Sequence, residues 1–178
     1  MPIEMATRKA GDIMIPLDEY PHVDYRVTLR QAIEVIENGD IEIKGKKSLP
    51  RAILVFDENK NLLGIARRRD ILRGLEPDFL KTMALSYRKK LFDIETDPNL
   101  VELSSGRLAK AIQVLAERPI SEVMSPVVAT LRNDDHLAKI IFIMLNRDQA
   151  LLPVIKDRKV VGVVRSVDVF NEIARIVL

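Results

Sequence analysis

Arg67 with Asp70, and Arg165 with Asp168, are the residues of this chain best suited to holding a small anionic ligand. In each pair the acid follows the arginine by three residues, close to one helical turn. Each pair also sits in the same phrase. Gly64, Ile65, Ala66, Arg67 and Asp70 run into Ile71 and Leu72, while Gly162, Val163, Val164, Arg165 and Asp168 run into Val169 and Phe170. The two glycines are 98 residues apart and so are the two aspartates, so the phrase is duplicated without slippage, as in a chain built from a repeated unit. The pattern reads as a strand entering a helix N-terminus, where free backbone N–H groups and the positive end of the helix favour a phosphate. A guanidinium there adds a planar fork of donors. The carboxylate can accept hydrogen bonds from sugar hydroxyls, and ionised acceptors make the stronger bonds. The same residues also suit a purely local role, capping the helix and pairing at i, i+3 for a few tenths of a kcal/mol.

Other chemistry is poorly represented. There is no cysteine, hence no thiolate nucleophile, disulfide framework or cysteine-based metal site. His22 and His136 are the only histidines, and neither has a second histidine near it in the sequence to share a metal. Ser125 precedes a proline and has no base beside it, so no nucleophile–base–orienter set emerges and the chain is read as a non-enzyme. A net charge of +2 over 178 residues argues against nucleic-acid binding, which needs concentrated cations opposite phosphates. An aromatic content of 4% without tryptophan argues against a stacking surface for single strands. The clusters at Lys44, Lys46, Lys47 and Arg51, and at Arg67, Arg68, Arg69 and Arg73, read as solvated faces. No apolar run approaches the roughly 20 residues of a membrane span, and residues 1–11 lack a signal-peptide core. The expectation is a cytoplasmic protein without a membrane partner.

The elements that must position the two pairs follow one order, strand-helix-strand-strand-helix, in both halves. In the second half, residues 127–131 read as a strand, with Asn133, Asp134 and Asp135 as capping residues. Leu137, Ile140, Ile141, Met144 and Leu145 recur at helical spacing. Residues 151–155 and 160–164 form a hairpin. A closing helix from Asp168 is expected to turn Val169, Phe170, Ile173 and Val177 inward. In the first half, Thr28 and Gln31 fit a capping box ahead of the stripe Leu29, Ala32, Ile33 and Ile36. Residues 53–56 and 62–66 form the hairpin, and extra chain at 39–49 reads as a small protruding hairpin or loop. Each half has a lead-in with Met, one residue and Pro: Met14 and Pro16, then Met124 and Pro126. Between the halves, Leu80, Met83, Ala84, Tyr87 and Leu91 give one helical stripe, and Leu108, Ala111, Ile112 and Leu115 another. Both need a surface to cover them.

The Met-x-Pro lead-ins, the strand Leu151, Leu152, Pro153, Val154 and Ile155, and the twice-used Gly phrase ending in Asp together resemble tandem cystathionine-β-synthase (CBS) domains, the Bateman module. The resemblance divides the chain into a CBS unit at 10–75, a helical connection at 76–118 and a CBS unit at 119–178. It implies an α/β (α+β) fold with the two units about a pseudo-twofold axis and clefts between them. It further implies a regulatory module binding AMP, ADP, ATP or S-adenosylmethionine there, with Asp70 and Asp168 on the ribose, and acting on a separate effector protein. Members of the family usually carry Thr or Ser where Arg67 and Arg165 stand. A guanidinium at that place would either strengthen phosphate binding or fill the cleft. The second unit is the favoured site, because Pro153 keeps the family's form and Ser166 can return a hydroxyl to the helix start. The two amphipathic stripes predict a homodimer, and a ligand-free dimeric scaffold working through its central helices is the alternative function.

Overall fold

The computed structural model describes residues 7–43, 45–81 and 105–178. The first half runs α1 (Ala10–Ile13), β1 (Ile15–Pro16), β2 (His22–Asp24), α2 (Leu29–Asn38), β3 (Ile41–Ile43), β4 (Lys46–Ser48), β5 (Ala52–Phe56), β6 (Leu62–Arg67) and α3 (Arg68–Gly74). The second runs α4 (Ser105–Leu115), β7 (Leu131–Arg132), α5 (Leu137–Arg147), β8 (Leu151–Lys156), β9 (Lys159–Arg165) and α6 (Ser166–Val177). Both halves thus contain the strand-helix-strand-strand-helix order read from the sequence.

The middle strands β5 and β8 are near-continuous apolar runs because both of their faces are covered. Each lies between a parallel neighbour, β2 or β7, and an antiparallel one, β6 or β9. Alternation along the strand sends residues to opposite faces. Ile53 and Val55 join Leu29, Ala32, Ile36 and Ile71 in the first unit's own core. Leu152 and Val154 join Leu137, Ile140, Met144 and Val169 in the second's. Ala52, Leu54 and Phe56 point the other way and share a third core with Leu151 and Val163. That core is the seam between the units.

The lead-ins cross the seam. β1 pairs antiparallel with β9, Ile15 opposite Val163 and Pro16 opposite Gly162, while Ser125 bridges Ile65 of β6. The helix starts are exchanged in the same way. The first N–H of α2, on Leu29, donates to Arg118 O at 2.9 Å, and that of α5, on Leu137, donates to Arg8 O at 3.0 Å. The side chains of those arginines follow. Arg8 Nη1 pairs with Glu172 Oε1 at 2.9 Å, and Arg118 Nη1 donates to Gly74 O at 3.3 Å. The exchange is reciprocal, as a pseudo-twofold relation requires. It also explains the glycine of the repeated phrase. A Cβ on Gly64 would stand 2.7 Å from Ser125 O, and one on Gly162 would collide with Ile15 O.

The capping box of α2 is as expected, with Gln31 N donating to Thr28 Oγ1 at 3.2 Å and Thr28 N to Gln31 Oε1 at 2.9 Å. At α5 the reading needs correction. Asp135 does not cap the helix; its carboxylate accepts Arg132 N at 2.8 Å and Lys139 Nζ at 2.6 Å. Burial works to raise its pKa, but the Lys139 and Arg132 bonds bring it below the usual carboxylate value. Residues 127–130 are not strand: the chain there travels from the Ser125 bridge on the first sheet to β7 on the second, without a ladder partner. Phe170 and Val177 do not point inward. They are 68% and 73% exposed, while Asp168 and Glu172 on the same helix are buried. The extra chain at 39–49 is a hairpin turned by Gly45 at φ +75°, and buried Ile41 fastens it to the seam. In α4, Leu108, Ala111, Ile112 and Leu115 are half-buried and the positions between them exposed, as the stripe predicts. Met83, Ala84, Tyr87 and Leu91 of the other stripe lie outside the described residues. Among the described residues no helix is long and apolar enough to cross a membrane.

Candidate functional site

Both repeated phrases fold as read, with a β-strand ending at the arginine and a helix beginning on the next residue. The aspartate at the third helical position folds back to cap the helix start. Asp70 Oδ2 accepts Arg67 N at 2.9 Å, and Asp168 Oδ2 accepts Arg165 N at 3.0 Å. Both aspartates are buried, at 6% and 7% exposure, so each carboxylate is tied to its helix whatever else it does. A carboxylate beside a helix N-terminus is favoured by the helix dipole.

The arginines behave differently. Arg165 closes on its own aspartate, with Nε 2.9 Å from Oδ2 and Nη2 2.7 Å from Oδ1. Its Nη1 donates to Ser48 Oγ at 3.1 Å, across the seam on β4. Only 13% of the Arg165 side chain and 8% of the Asp168 side chain are exposed. Arg67 turns away from Asp70 instead, its Nη2 donating to Gln149 Oε1 at 2.7 Å in the second unit. Among the described residues no cation is bonded to the Asp70 carboxylate. At the start of α3 the backbone also brings several arginines together. Ala52 pairs with Arg67 and Arg68 N donates to Arg51 O, which sets Arg51, Arg67 and Arg68 side by side, with exposed Arg69 on the same helix.

Tyr20 completes the second site from the opposite unit. Its hydroxyl donates to Ala52 O at 2.7 Å. Burial pushes the phenol's pKa upward, against the pull of the Arg165 guanidinium and with the help of Asp168, so it remains a neutral donor. Ser166 is exposed, and its backbone N–H donates to Ala150 O; the helix is capped by Asp168 rather than by this hydroxyl. Pro153 is buried in β8 opposite Val163, and alternation places it on the seam side with Leu151. Sequence reasoning missed Ser48 and Gln149, which meet the arginines only across the seam, and Tyr20, whose hydroxyl feels the charges of Arg165 and Asp168; none carries a local signal.

Two surface hollows, of about 410 and 420 Å³, have neither aspartate in their walls. One is bounded by Tyr20, His22 and Asn38 and the other by Leu72, Leu80 and Leu108. Among the described residues, no group of three or more His, Asp or Glu is placed to hold a metal.

The CBS-domain family profile matches residues 10–77 and 120–175. A search of curated proteins returned no match. Among solved structures, the CBS domain of a CBS-domain-containing membrane protein from Sphaerobacter thermophilus superposes with a TM-score of 0.66 at 20% identity, covering 96% of this chain and 90% of that one. CBSX2 from Arabidopsis thaliana, solved in complex with AMP, gives 0.61 at 18% identity, covering 96% and 98%. The cytosolic domain of the Mg2+ channel MgtE, solved in complex with ATP, gives 0.57 at 20% identity, covering 92% of this chain and 48% of that one. At these identities the likeness is one of fold.

Proposed function

The chain belongs to the CBS-domain family, and on that premise we propose that it is a regulatory module which senses an adenosine-containing nucleotide between its two units and signals to a separate partner protein. AMP, ADP, ATP and S-adenosylmethionine are the candidate ligands, and a cytoplasmic homodimer the working form. Two proteins of like fold were solved with AMP and with ATP, which supports an adenine nucleotide as the ligand class. The observation that carries the reading is the Asp70 carboxylate, buried one turn into α3, held by a backbone bond and, among the described residues, bonded to no cation. Such an acceptor suits a ribose diol, and the arginines beside it suit the phosphates.

Titration calorimetry of the purified protein against the four ligands tests the proposal. Binding of at least one is expected, and Asp70→Ala weakens it by about 1.5–3 kcal/mol, the range for a hydrogen bond to a charged group. A second reading, a ligand-free dimeric scaffold, is favoured by the Arg67–Gln149 and Arg165–Ser48 bonds, which fill the seam from both sides. No heat and no rise in melting temperature at millimolar nucleotide would select it.

A further inference from the structure

The two halves repeat the same phrase, yet among the described residues one aspartate is engaged by a guanidinium and the other is not. We infer that Arg165 is a built-in occupant of the second cleft, so that the chain binds one nucleotide, at Asp70, and not two. The inference rests on the nucleotide reading above and adds to it the number of sites and the residue that sets it.

Three bonds hold Arg165 in place: two to Asp168, at 2.9 and 2.7 Å, and one to Ser48 across the seam, at 3.1 Å. A fork-to-fork pair of this kind uses both carboxylate oxygens, while Asp168 Oδ2 also serves the helix start. Three of the roughly four acceptor positions of the carboxylate are therefore taken, and a ribose diol, which brings two hydroxyls, finds only one left, on Oδ1. A ligand that displaced the guanidinium would have to break an ion pair in which both partners are nearly buried, and breaking such a pair is the costly direction. Among the described residues no such pair guards Asp70. Arg67 is drawn off by Gln149, a neutral partner that a phosphate can replace, because an ionised acceptor makes the stronger bond. The cause of the difference lies opposite each arginine. The hairpin β3–β4, which has no counterpart in the second unit, brings Ser48 to Arg165, and Gln149 stands opposite Arg67.

The experiment is the stoichiometry of AMP and ATP binding, measured by calorimetry on the whole protein. Wild type is expected to bind one nucleotide per chain, and Asp70→Ala to lose tenfold or more in affinity. Arg165→Thr, whose hydroxyl can cap the helix in place of the lost contacts, is expected to bind two. Combined with Asp70→Ala, it should bind one. A melting curve without nucleotide establishes that each variant is folded, and the wild-type measurement needs no variant at all. Two sites in wild type, or one site in folded Arg165→Thr, would overturn the inference and leave the nucleotide reading standing. No binding by wild type or by Arg165→Thr would overturn both.

Discussion

At the scale of single residues, an arginine three positions before an aspartate is one motif with two conformations. The sequence presents Arg67 and Arg165 as equivalents apart from the residue that follows each, Arg68 in one and Ser166 in the other, and the Ser166 hydroxyl does not cap its helix. What separates them is the partner across the seam, Gln149 for one and Ser48 for the other. The aspartates were legible, because a carboxylate at the third helical position caps a helix wherever it occurs. The arginines' partners were not, since they are set by long-range pairing. The sequence favours the second cleft on Pro153 and Ser166, and the bonds to the Asp168 carboxylate come from neither residue but from Arg165. If Arg67 swings from Gln149 to phosphate, Arg67→Ala should weaken ATP and ADP binding about tenfold or more, roughly 1.4 kcal/mol, and adenosine much less. Calorimetry with adenosine, AMP and ATP checks this, and equal losses for adenosine and ATP would refute the phosphate role while leaving Asp70 in question only as tested above.

At the scale of elements, most of the secondary structure could be read locally, because caps, stripes and alternation depend on near neighbours. The capping box at Thr28, the hairpins of both units and the stripe on α4 are examples. The exchange of lead-ins could not. Met14 and Pro16 carry no mark that says they will pair with β9 rather than with their own unit's sheet. The trace of the exchange is the glycine that opens both copies of the repeat, Gly64 and Gly162, whose reason appears only when the crossing strand is in place. A side chain at either glycine would press on backbone that cannot yield cheaply: Ile15 O over Gly162, and Ser125 O over Gly64, each beside a methionine sulfur at 2.9 Å. Gly162→Ala and Gly64→Ala should each destabilise the protein by about 1–3 kcal/mol, the usual cost of overpacking. Gly106→Ala is the control. It lies on α4 with open space around its Cβ position, so the better helix former should leave stability equal or slightly raised. Thermal denaturation of the three variants checks the order, and a neutral Gly162→Ala would mean that the lead-in is not held against β9.

At the scale of the whole molecule, the two units are alike inside and unlike outside, and that difference bears on assembly. Counting from the first residue of each helix, Glu34 and Glu37 of α2 correspond to Phe142 and Leu145 of α5. The fold therefore does not need apolar residues at those outward positions. Phe142 is nonetheless 63% exposed and Leu145 75%, with Val167 and Phe170 exposed on α6, which packs beside α5. On the connection, Val114 of α4 is 73% exposed. Scattered apolar residues on a surface are ordinary, but a contiguous group marks an interface. Sedimentation equilibrium should accordingly give twice the 20.2 kDa chain mass at micromolar concentration. A charge placed at the centre of a desolvated contact is not tolerated, so the residue that carries the interface can be found by substitution. Phe142→Glu and Phe170→Glu test the α5–α6 face, and Val114→Glu tests the exposed side of α4, the helix whose other side carries the stripe from which the sequence predicts a dimer. The α5–α6 substitutions are expected to give a folded monomer with its nucleotide stoichiometry intact, because neither residue lies on the seam. A dimer that survives them and yields to Val114→Glu would return the interface to the connection. A wild-type monomer would leave both faces to other partners.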